Sequence, residues 1–311
     1  MVYRQAVQKR VNCSIQILGV LLLLTSVNVS AQVKDIISSN NQIKIQYINT
    51  RVNYTETIGG AIADTEKGHV PGFGVTFSAM KDIFFGNDFF EAQVSRLSGN
   101  TNYSGSLGVL GIAVGPLGYG PYAQTNGAQM TDYSLKFGKG FSFANNTSLI
   151  TPYIELGNHQ WDRKIASVCL VTTNPCSTNA TENYQNYYYG LGIMGQISPM
   201  EKLVLTTNLM VGNTFSSTIS ATGQAPLVVS IPYLVTSFNA QKLGSEKIYK
   251  LGLSADYAFT KYLHGSLGVD YTAFKYGRSA PFVADQLGIA FYEPDSKTRY
   301  TTFKVGIGYG F

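Results

Sequence analysis

The sequence predicts an all-β fold, namely a transmembrane, antiparallel, up-and-down β-barrel with ten strands. Three observations lead to this prediction. Short segments of alternating apolar and polar residues recur after residue 31, and none approaches the length of a membrane-spanning helix. Aromatic residues are abundant, with 21 Tyr and 17 Phe, whereas charged residues make up only 13% of the chain. The connections between the segments alternate between short and long, as the turns and loops of membrane barrels do.

The first 31 residues have the pattern of a secretory signal peptide. Basic residues at Arg4, Lys9 and Arg10 precede an apolar stretch over residues 15–29, and small Ala31 ends the segment. An N-terminal membrane anchor is the alternative, but the strongly apolar core is short for a spanning helix, which needs about 20 residues. We therefore expect cleavage after Ala31.

Removal of the signal peptide changes the charge of the chain. Residues 1–31 carry three positive charges and no negative ones, so the formal balance falls from +5 to +2. A balance this small gives no reason to expect nucleic acid or an acidic partner. The mature chain is then predicted to start with a short periplasmic segment, residues 32–42, and to continue as the barrel, residues 43–311.

Each predicted strand alternates with period two, so that one face is apolar and the other polar. The ten strands cover residues 43–56, 71–82, 88–100, 129–141, 149–164, 184–197, 202–219, 246–259, 263–277 and 297–311. The first is the least regular. Ile43, Ile45 and Tyr47 share one parity, whereas Val52 and Tyr54 take the other, which predicts a bulge between the two groups.

The links between these strands alternate in length. The short links cover residues 83–87, 142–148, 198–201 and 260–262, and the long links cover 57–70, 101–128, 165–183, 220–245 and 278–296. This arrangement places both chain ends on the periplasmic side and five long loops outside. A count of eight strands follows if the first strand or one disputed pair is loop, and a count of twelve requires an extra hairpin within residues 227–238.

The last strand ends the chain on an aromatic residue. Its apolar face comprises Phe303, Val305, Ile307, Tyr309 and Phe311, with small or polar residues between them. This ending resembles the assembly signal of bacterial outer-membrane β-barrel proteins. The resemblance implies insertion by the barrel-assembly machinery into the outer membrane of a Gram-negative bacterium, in contact with its lipid and lipopolysaccharide.

The polar faces of the strands predict a charged lumen. Assigning them inward collects Glu91, Asp132, Lys136, Glu155, Lys250, Asp256, Asp270 and Lys304. Unpaired charges in so narrow a space are costly, so we expect ion pairs that fill the lumen. A selective passage for small solutes is the alternative interpretation.

One ten-stranded outer-membrane family, the omptins, consists of proteases with Asp pairs and an Asp–His pair at the outer rim. The similarity is limited to the inferred strand count. His159 lies beside Trp161 and Asp162 near the outer end of the fifth strand, a setting that favours the interfacial aromatic girdle. We expect no enzymatic role and no cofactor, and three His residues leave little for a metal site.

Cys169 and Cys176 remain after cleavage, and their spacing in an exported chain suggests a disulfide within one loop. Metal binding is the alternative, although no His lies near in sequence. Two outer loops, 101–128 and 220–245, contain apolar runs that either fold into the barrel mouth or bind a surface partner or an apolar ligand. The leading hypothesis is therefore a structural or surface-interaction protein that displays five loops. A narrow porin or apolar-ligand channel and a rim-active hydrolase are the alternatives.

Overall fold

The computed structural model describes residues 33–84, 86–107, 120–144, 146–165, 180–222, 224–227, 231–235, 238–283 and 290–311. Ten antiparallel strands close into a barrel, which confirms the predicted fold class and strand count. The strands are β1 (Gln42–Ile58), β2 (Ala61–Lys81), β3 (Asp88–Leu107), β4 (Gly120–Lys139), β5 (Ser148–Ile165), β6 (Ala180–Met200), β7 (Leu203–Thr222), β8 (Lys247–Ala258), β9 (Leu263–Tyr276) and β10 (Asp295–Gly310). A helix, α1 (Val33–Ser39), precedes them, and within these residues no helix has the length and apolarity to cross a membrane.

The barrel closes between its first and last strands. β1 pairs with β10 without interruption from Gln42 opposite Gly310 to Thr57 opposite Asp295. Followed once round the wall, the paired residues that start at Gln42 return to β1 at Tyr54, 12 residues further on. For ten strands, a stagger of this size tilts them by roughly 40° from the barrel axis.

Two predictions about the first hairpin are wrong. The pairing of β1 is regular through Tyr54 and shifts only between Glu56 and Thr57. Val52 and Tyr54 are fully buried inside the barrel, so the change of parity marks an apolar interior and not a bulge at that point. The predicted long link at 57–70 is also absent, because both strands continue and turn at Gly59 and Gly60, whose positive φ angles suit glycine.

The other long links are also shortened by strand residues at their ends. Between β7 and β8, residues 224–227 and 231–235 form a small separate hairpin, and residues 238–242 pair with β7. This hairpin overlaps the segment 227–238 on which the twelve-strand alternative depended, but it does not join the barrel wall. The strand count therefore stays at ten.

The outer face of the barrel carries a band of exposed, large apolar side chains. On β10 these are Phe303, Val305, Ile307 and Tyr309, which are between 54% and 67% exposed. Comparable residues occur on the other nine strands, for example Ile45 on β1, which is 62% exposed. Apolar exposure on this scale is typical of barrels whose outer solvent is lipid.

Candidate functional site

The lumen contains a polar cavity of about 240 Å³. All eight residues predicted to face the lumen line this cavity, namely Glu91, Asp132, Lys136, Glu155, Lys250, Asp256, Asp270 and Lys304. Lys44, Gln46 and Asn208 also contribute to its wall. The cavity is the site at which the barrel could hold water or a small polar solute.

Most of the cavity charges are paired, either across neighbouring strands or, for Lys250 on β8 and Glu155 on β5, across the lumen. Lys136 Nζ lies 2.8 Å from Glu91 Oε1, and these two residues are directly opposite each other on β3 and β4. The Lys250–Glu155 pair is 2.7 Å apart and the Lys304–Asp270 pair is 2.5 Å apart. Because each pair offsets the desolvation of its members, the charges can remain inside a narrow barrel.

Tyrosines extend this network where glycines leave room for their rings. The Tyr188 hydroxyl donates to Glu155 Oε1 at 3.0 Å and receives a hydrogen bond from Lys250 Nζ at 2.6 Å. A Cβ added at Gly157 would overlap the Tyr188 ring, and one at Gly192 would overlap the ring of Tyr153. These two glycines therefore fix the position of the polar groups, since any larger residue would displace the phenols.

The helix α1 covers the end of the lumen that carries the short turns. The amide of Asn40, just after the helix, donates to Gln196 Oε1 at 2.7 Å, and that of Asn41 donates to the Met80 carbonyl at 3.0 Å. The N–H of Val33 donates to the Asn146 carbonyl at 2.7 Å. The described part of the predicted periplasmic segment, residues 33–41, thus crosses the barrel opening.

An Asp–His pair lies at this end of the lumen. His264 Nδ1 is 2.7 Å from Asp256 Oδ1, and the second carboxylate oxygen accepts a hydrogen bond of 3.0 Å from Gln42. His264 is 1% exposed. The pair lies between the strand ends and α1, where it links β8, β9 and β1.

A second Asp–His pair lies at the far end of the cavity. His159 Nδ1 is 2.6 Å from Asp132 Oδ1, and its Nε2 is 2.9 Å from the Tyr300 hydroxyl. Asp132 and His159 are directly opposite each other on β4 and β5. The prediction that His159 and Trp161 belong to the interfacial girdle is wrong, because both side chains are buried in the lumen, at 4% and 0% exposure.

An apolar layer fills the lumen beyond His159. Every strand contributes at least one buried member to it: Val52, Tyr54, Val70, Leu97, Met130, Trp161, Tyr184, Ile219, Ile248, Phe274, Tyr276 and Tyr300. Rings meet across the lumen, with centroids 5.4 Å apart for Tyr54 and Trp161 and 6.0 Å apart for Tyr54 and Tyr184. Trp161 also stacks on Tyr184 of the neighbouring strand, at a centroid distance of 5.8 Å. The polar cavity is therefore closed on the side of the long loops.

A charged cluster, which we call the rim cluster, lies beyond the apolar layer. Its centre is Arg163, whose guanidinium is 2.5 Å from Glu66, 2.9 Å from Glu182 and 3.9 Å from Glu56. Sequence reasoning missed this cluster because its acids fall in predicted loops or at a strand end. The inward parity of β1, β2, β5 and β6, continued past the predicted strand ends where necessary, would have indicated it.

Tyrosines connect the rim cluster to the apolar layer and to the last loop. The Tyr54 hydroxyl donates to Glu56 Oε1 and the Tyr184 hydroxyl donates to Glu293 Oε1, both at 2.7 Å. Burial, together with the negative charge of Glu182, raises the pKa of Glu293 to about 7. Within the described ranges, no three Asp, Glu, His or Cys side chains are arranged to hold a metal ion.

Raising the pH from 5 to 8 is expected to loosen residues 290–294. Because the pKa of Glu293 is above its ordinary value of 4.5, its contribution to stability is complete below that value and is lost as the pH rises through about 7. The loss is at most about 3 kcal/mol. Hydrogen–deuterium exchange of this segment measures it. Glu293→Gln keeps a neutral acceptor for Tyr184 and should abolish the dependence, and persistence of the dependence in that variant would refute this origin.

The terminal residues predicted to form the assembly signal lie on the outer face of β10 and just after it. Phe311 is 51% exposed, and its ring stacks on Phe77 of β2 at a centroid distance of 5.6 Å. Cys169 and Cys176 lie outside the described residues. The same holds for most of the apolar runs in the loops at 101–128 and 220–245, although residues 101–107 and 120–128 extend β3 and β4.

Comparisons with known proteins support the fold alone. No protein-family model and no curated protein matches the sequence. The outer-membrane protease OmpT from Escherichia coli is similar in structure, with a TM-score of 0.50 and 9% identity over 88% of this chain and 98% of that chain. The toluene transporter TodX from Pseudomonas putida gives a TM-score of 0.32 and 9% identity, over 90% of this chain and 91% of its own. The attachment invasion locus protein Ail of Yersinia pestis gives a TM-score of 0.31 and 11% identity, over 88% of this chain and 99% of its own. At 9% identity, the similarity to OmpT shows that the two chains share a barrel fold.

Proposed function

We propose that this chain is a barrel of the Gram-negative outer membrane with a closed lumen, and that it acts as a structural or surface-interaction protein through the parts it carries beyond the membrane. The observation that carries the proposal is the filled interior. The apolar layer closes the cavity on one side and α1 covers it on the other. A barrel that conducts keeps a polar, water-filled interior along its whole length.

The lengths of the strands support a role beyond the membrane. β2 and β6 each have 21 residues, whereas about 9 to 11 residues suffice to cross a bilayer. The surplus of some ten residues extends the wall by roughly 25 Å, after allowing for the tilt. β8 has only 12 residues, so the extension is confined to part of the circumference. Such a wall holds the adjoining loops away from the lipid.

The proposed orientation puts the rim cluster and the long links outside the cell and both termini in the periplasm. An epitope tag placed between Ile165 and Ala180 tests it. Antibody should label intact cells through this tag, whereas a tag added after Phe311 should require a permeabilised outer membrane. The reverse pattern would contradict the orientation, and absence of the protein from the outer-membrane fraction would contradict the location. The terminal aromatic strand supports delivery by the barrel-assembly machinery.

Replacement of loop residues tests the surface role. Residues 109–118 in the loop 101–128 and residues 228–230 in the loop 220–245 are exchanged for Gly-Ser sequence, which leaves β3, β4 and β7 intact. We expect cells carrying this variant to lose adherence or outer-membrane integrity, measured as detergent sensitivity, while the barrel still inserts. If neither property differs among cells with the wild type, the variant or no protein, the proposed role is wrong.

A narrow channel is the second candidate, and the charged cavity favours it. The cavity of about 240 Å³ could hold a small polar solute between two closures. Conduction then requires that both the apolar layer and α1 move. Conductance of the wild-type protein in planar bilayers separates the two, because stable current steps are expected from a channel and not from a closed barrel.

A hydrolase is the third candidate, through Asp132, His159 and Tyr300. The hydrogen bonds at both imidazole nitrogens, to Asp132 and to the Tyr300 hydroxyl, resemble a base held between an acid and a hydroxyl. However, His159 is 4% exposed and lies below the apolar layer, so a polymeric substrate would have to displace that layer. Cleavage of peptides or of lipid A by the purified barrel, abolished by His159→Ala, would overturn the proposal of a protein without enzymatic role.

A further inference from the structure

A row of basic side chains lies on the outer face of the barrel, just beyond the apolar band. On each strand, the outward-facing positions can be numbered from the apolar band toward the long links. The second of these positions is basic on four consecutive strands. These residues are Lys275 on β9, Arg299 on β10, Arg51 on β1 and His69 on β2, and each is exposed. Together with Lys297 on β10 and Lys67 on β2, they form what we call the basic patch.

The strand register brings the members of the basic patch close together. Lys275 is directly opposite Lys297, and Arg51 is directly opposite His69. Arg299 and Lys67 are each opposite Asn53, on its two sides. Side chains in opposite or diagonal positions on adjacent strands lie roughly 5 to 8 Å apart, and the four strands together span roughly 15 Å. An extended ligand with more than one phosphate can therefore contact several of the six groups.

The basic patch repels itself unless an anion is bound. Like charges directly opposite each other destabilise a sheet, and Lys275 and Lys297 are such a pair. In the part of the chain that the structure describes, none of the six residues forms an ion pair with an acidic side chain, although ion pairs occur throughout the lumen. The charges that would offset this repulsion are therefore expected from outside the chain.

The position beside the apolar band does not by itself require basic residues. On the other side of the barrel, the matching second positions carry Gln129 on β4, Gln160 on β5 and Asn183 on β6. Neutral amides thus serve at the same level on those strands. A basic residue at the second position is confined to the face formed by β9, β10, β1 and β2, although Arg96 on β3 and Lys247 on β8 are exposed at the first position and flank this face.

We propose that the basic patch binds the phosphate groups of lipopolysaccharide, the phosphorylated glycolipid of the outer leaflet. The proposal rests on the proposed membrane location and adds a lipid partner to it. The phosphates of such a lipid lie directly outside the hydrocarbon layer, where long Lys and Arg side chains beyond the apolar band can reach them. Arg51 and Arg299 can donate two parallel hydrogen bonds to one phosphate, and the lysines act as point charges.

The test is a comparison of lipid binding by the full-length mature protein in detergent micelles. Bisphosphorylated lipid A is titrated against the wild type, the triple variant Arg51→Gln/Lys297→Gln/Arg299→Gln, and Lys164→Gln, which removes an exposed lysine of β5 on the opposite face. We expect saturable binding that the triple variant weakens by roughly tenfold to a hundredfold. Lys164→Gln should bind like the wild type. Equal binding by the triple variant and the wild type would overturn the proposal.

Further lipids separate the sources of phosphate. Lipid A without its phosphates, phosphatidylglycerol and inorganic pyrophosphate should each bind at least tenfold more weakly than bisphosphorylated lipid A. Equal binding of phosphatidylglycerol or of the dephosphorylated lipid would overturn the assignment to a phosphorylated glycolipid.

Fluorescence of Trp161, the single tryptophan, verifies that each variant is folded. If the triple variant does not fold, Arg51→Gln and Arg299→Gln alone should each weaken binding roughly fivefold, and no weakening in either would refute the patch. If the barrel inserts into bilayers but does not bind lipid A, the proposed lipid-binding role of the basic patch is refuted and the membrane location is not. Failure to insert would refute the membrane location.

Discussion

Replacing Arg163 with methionine is expected to lower the free energy of unfolding by about 3 to 5 kcal/mol. Arg163 is 6% exposed and is the only cation that contacts Glu66 and Glu182 within the described residues. Methionine occupies a similar volume but leaves these carboxylates buried and without their ion-pair partner. Removal of one member of a buried ion network costs more than loss of its Coulomb attraction, because the remaining charges keep their desolvation penalty.

The measurement is urea-induced unfolding in lipid vesicles, followed by the fluorescence of Trp161 two residues away. Lys164→Met is the matched control, since Lys164 is adjacent in sequence but exposed on the outer face, and its loss should change the unfolding free energy by less than about 0.5 kcal/mol. A deficit of similar size in both variants would show that the rim cluster does not stabilise the barrel.

The dependence of the Arg163→Met deficit on pH identifies its cause. Without the guanidinium, the buried carboxylates lose the positive charge that offsets their mutual repulsion and their desolvation. The neutral forms are then favoured in the fold, so the variant should regain stability as the pH is lowered from 7 to 4. The double variant Arg163→Met/Glu66→Gln should recover part of the loss at neutral pH. A deficit that does not change with pH would instead indicate a packing defect.

Replacing Trp161 with alanine is expected to cost about 3 to 5 kcal/mol and to weaken the closure of the lumen. The indole is fully buried and contacts the rings of Tyr54 and Tyr184, so its removal leaves a cavity in the middle of the apolar layer. Because the variant lacks tryptophan, unfolding is followed by the change in gel mobility between folded and heated barrel. Tyr187→Ala on β6 is the control. Its ring is 41% exposed on the outer face, and its loss should cost less than half as much.

An equal loss in the Trp161→Ala and Tyr187→Ala variants would indicate that the apolar layer is loosely packed. In that case the interior could rearrange at low cost, and the closure that the proposed function requires would be lost. A loss confined to Trp161→Ala would support a rigid layer, because well-packed interiors do not collapse readily around a missing side chain.

The sequence was sufficient to predict the architecture of the membrane-facing half. There the outward positions are apolar and the inward ones are polar, so alternation identifies the ten strands and places residues such as Glu91 and Lys136 in one lumen. Their partners could not be assigned, because pairing depends on the register between strands. The direct opposition of Asp132 and His159, for example, follows from that register and not from their spacing in the chain.

The half beyond the apolar band was predicted less well, for a physical reason. Above it, the outward positions become polar while inward positions such as Val52 and Trp161 become apolar. The apolar residues thus change from the outward to the inward positions although the backbone pairing continues. For this reason most of the predicted strands end before the observed ones do. Glu66 was consequently assigned to a loop, and the rim cluster was missed.

Conductance of the purified protein in planar bilayers tests most directly whether the lumen is closed. The wild type is compared with a variant that lacks residues 33–41 and carries Trp161→Ala and Tyr54→Ala, which removes material from both closures. The wild type is expected to insert without stable current steps, whereas the variant is expected to show steps that increase with salt concentration. Stable, salt-dependent steps from the wild-type protein would contradict the closed lumen.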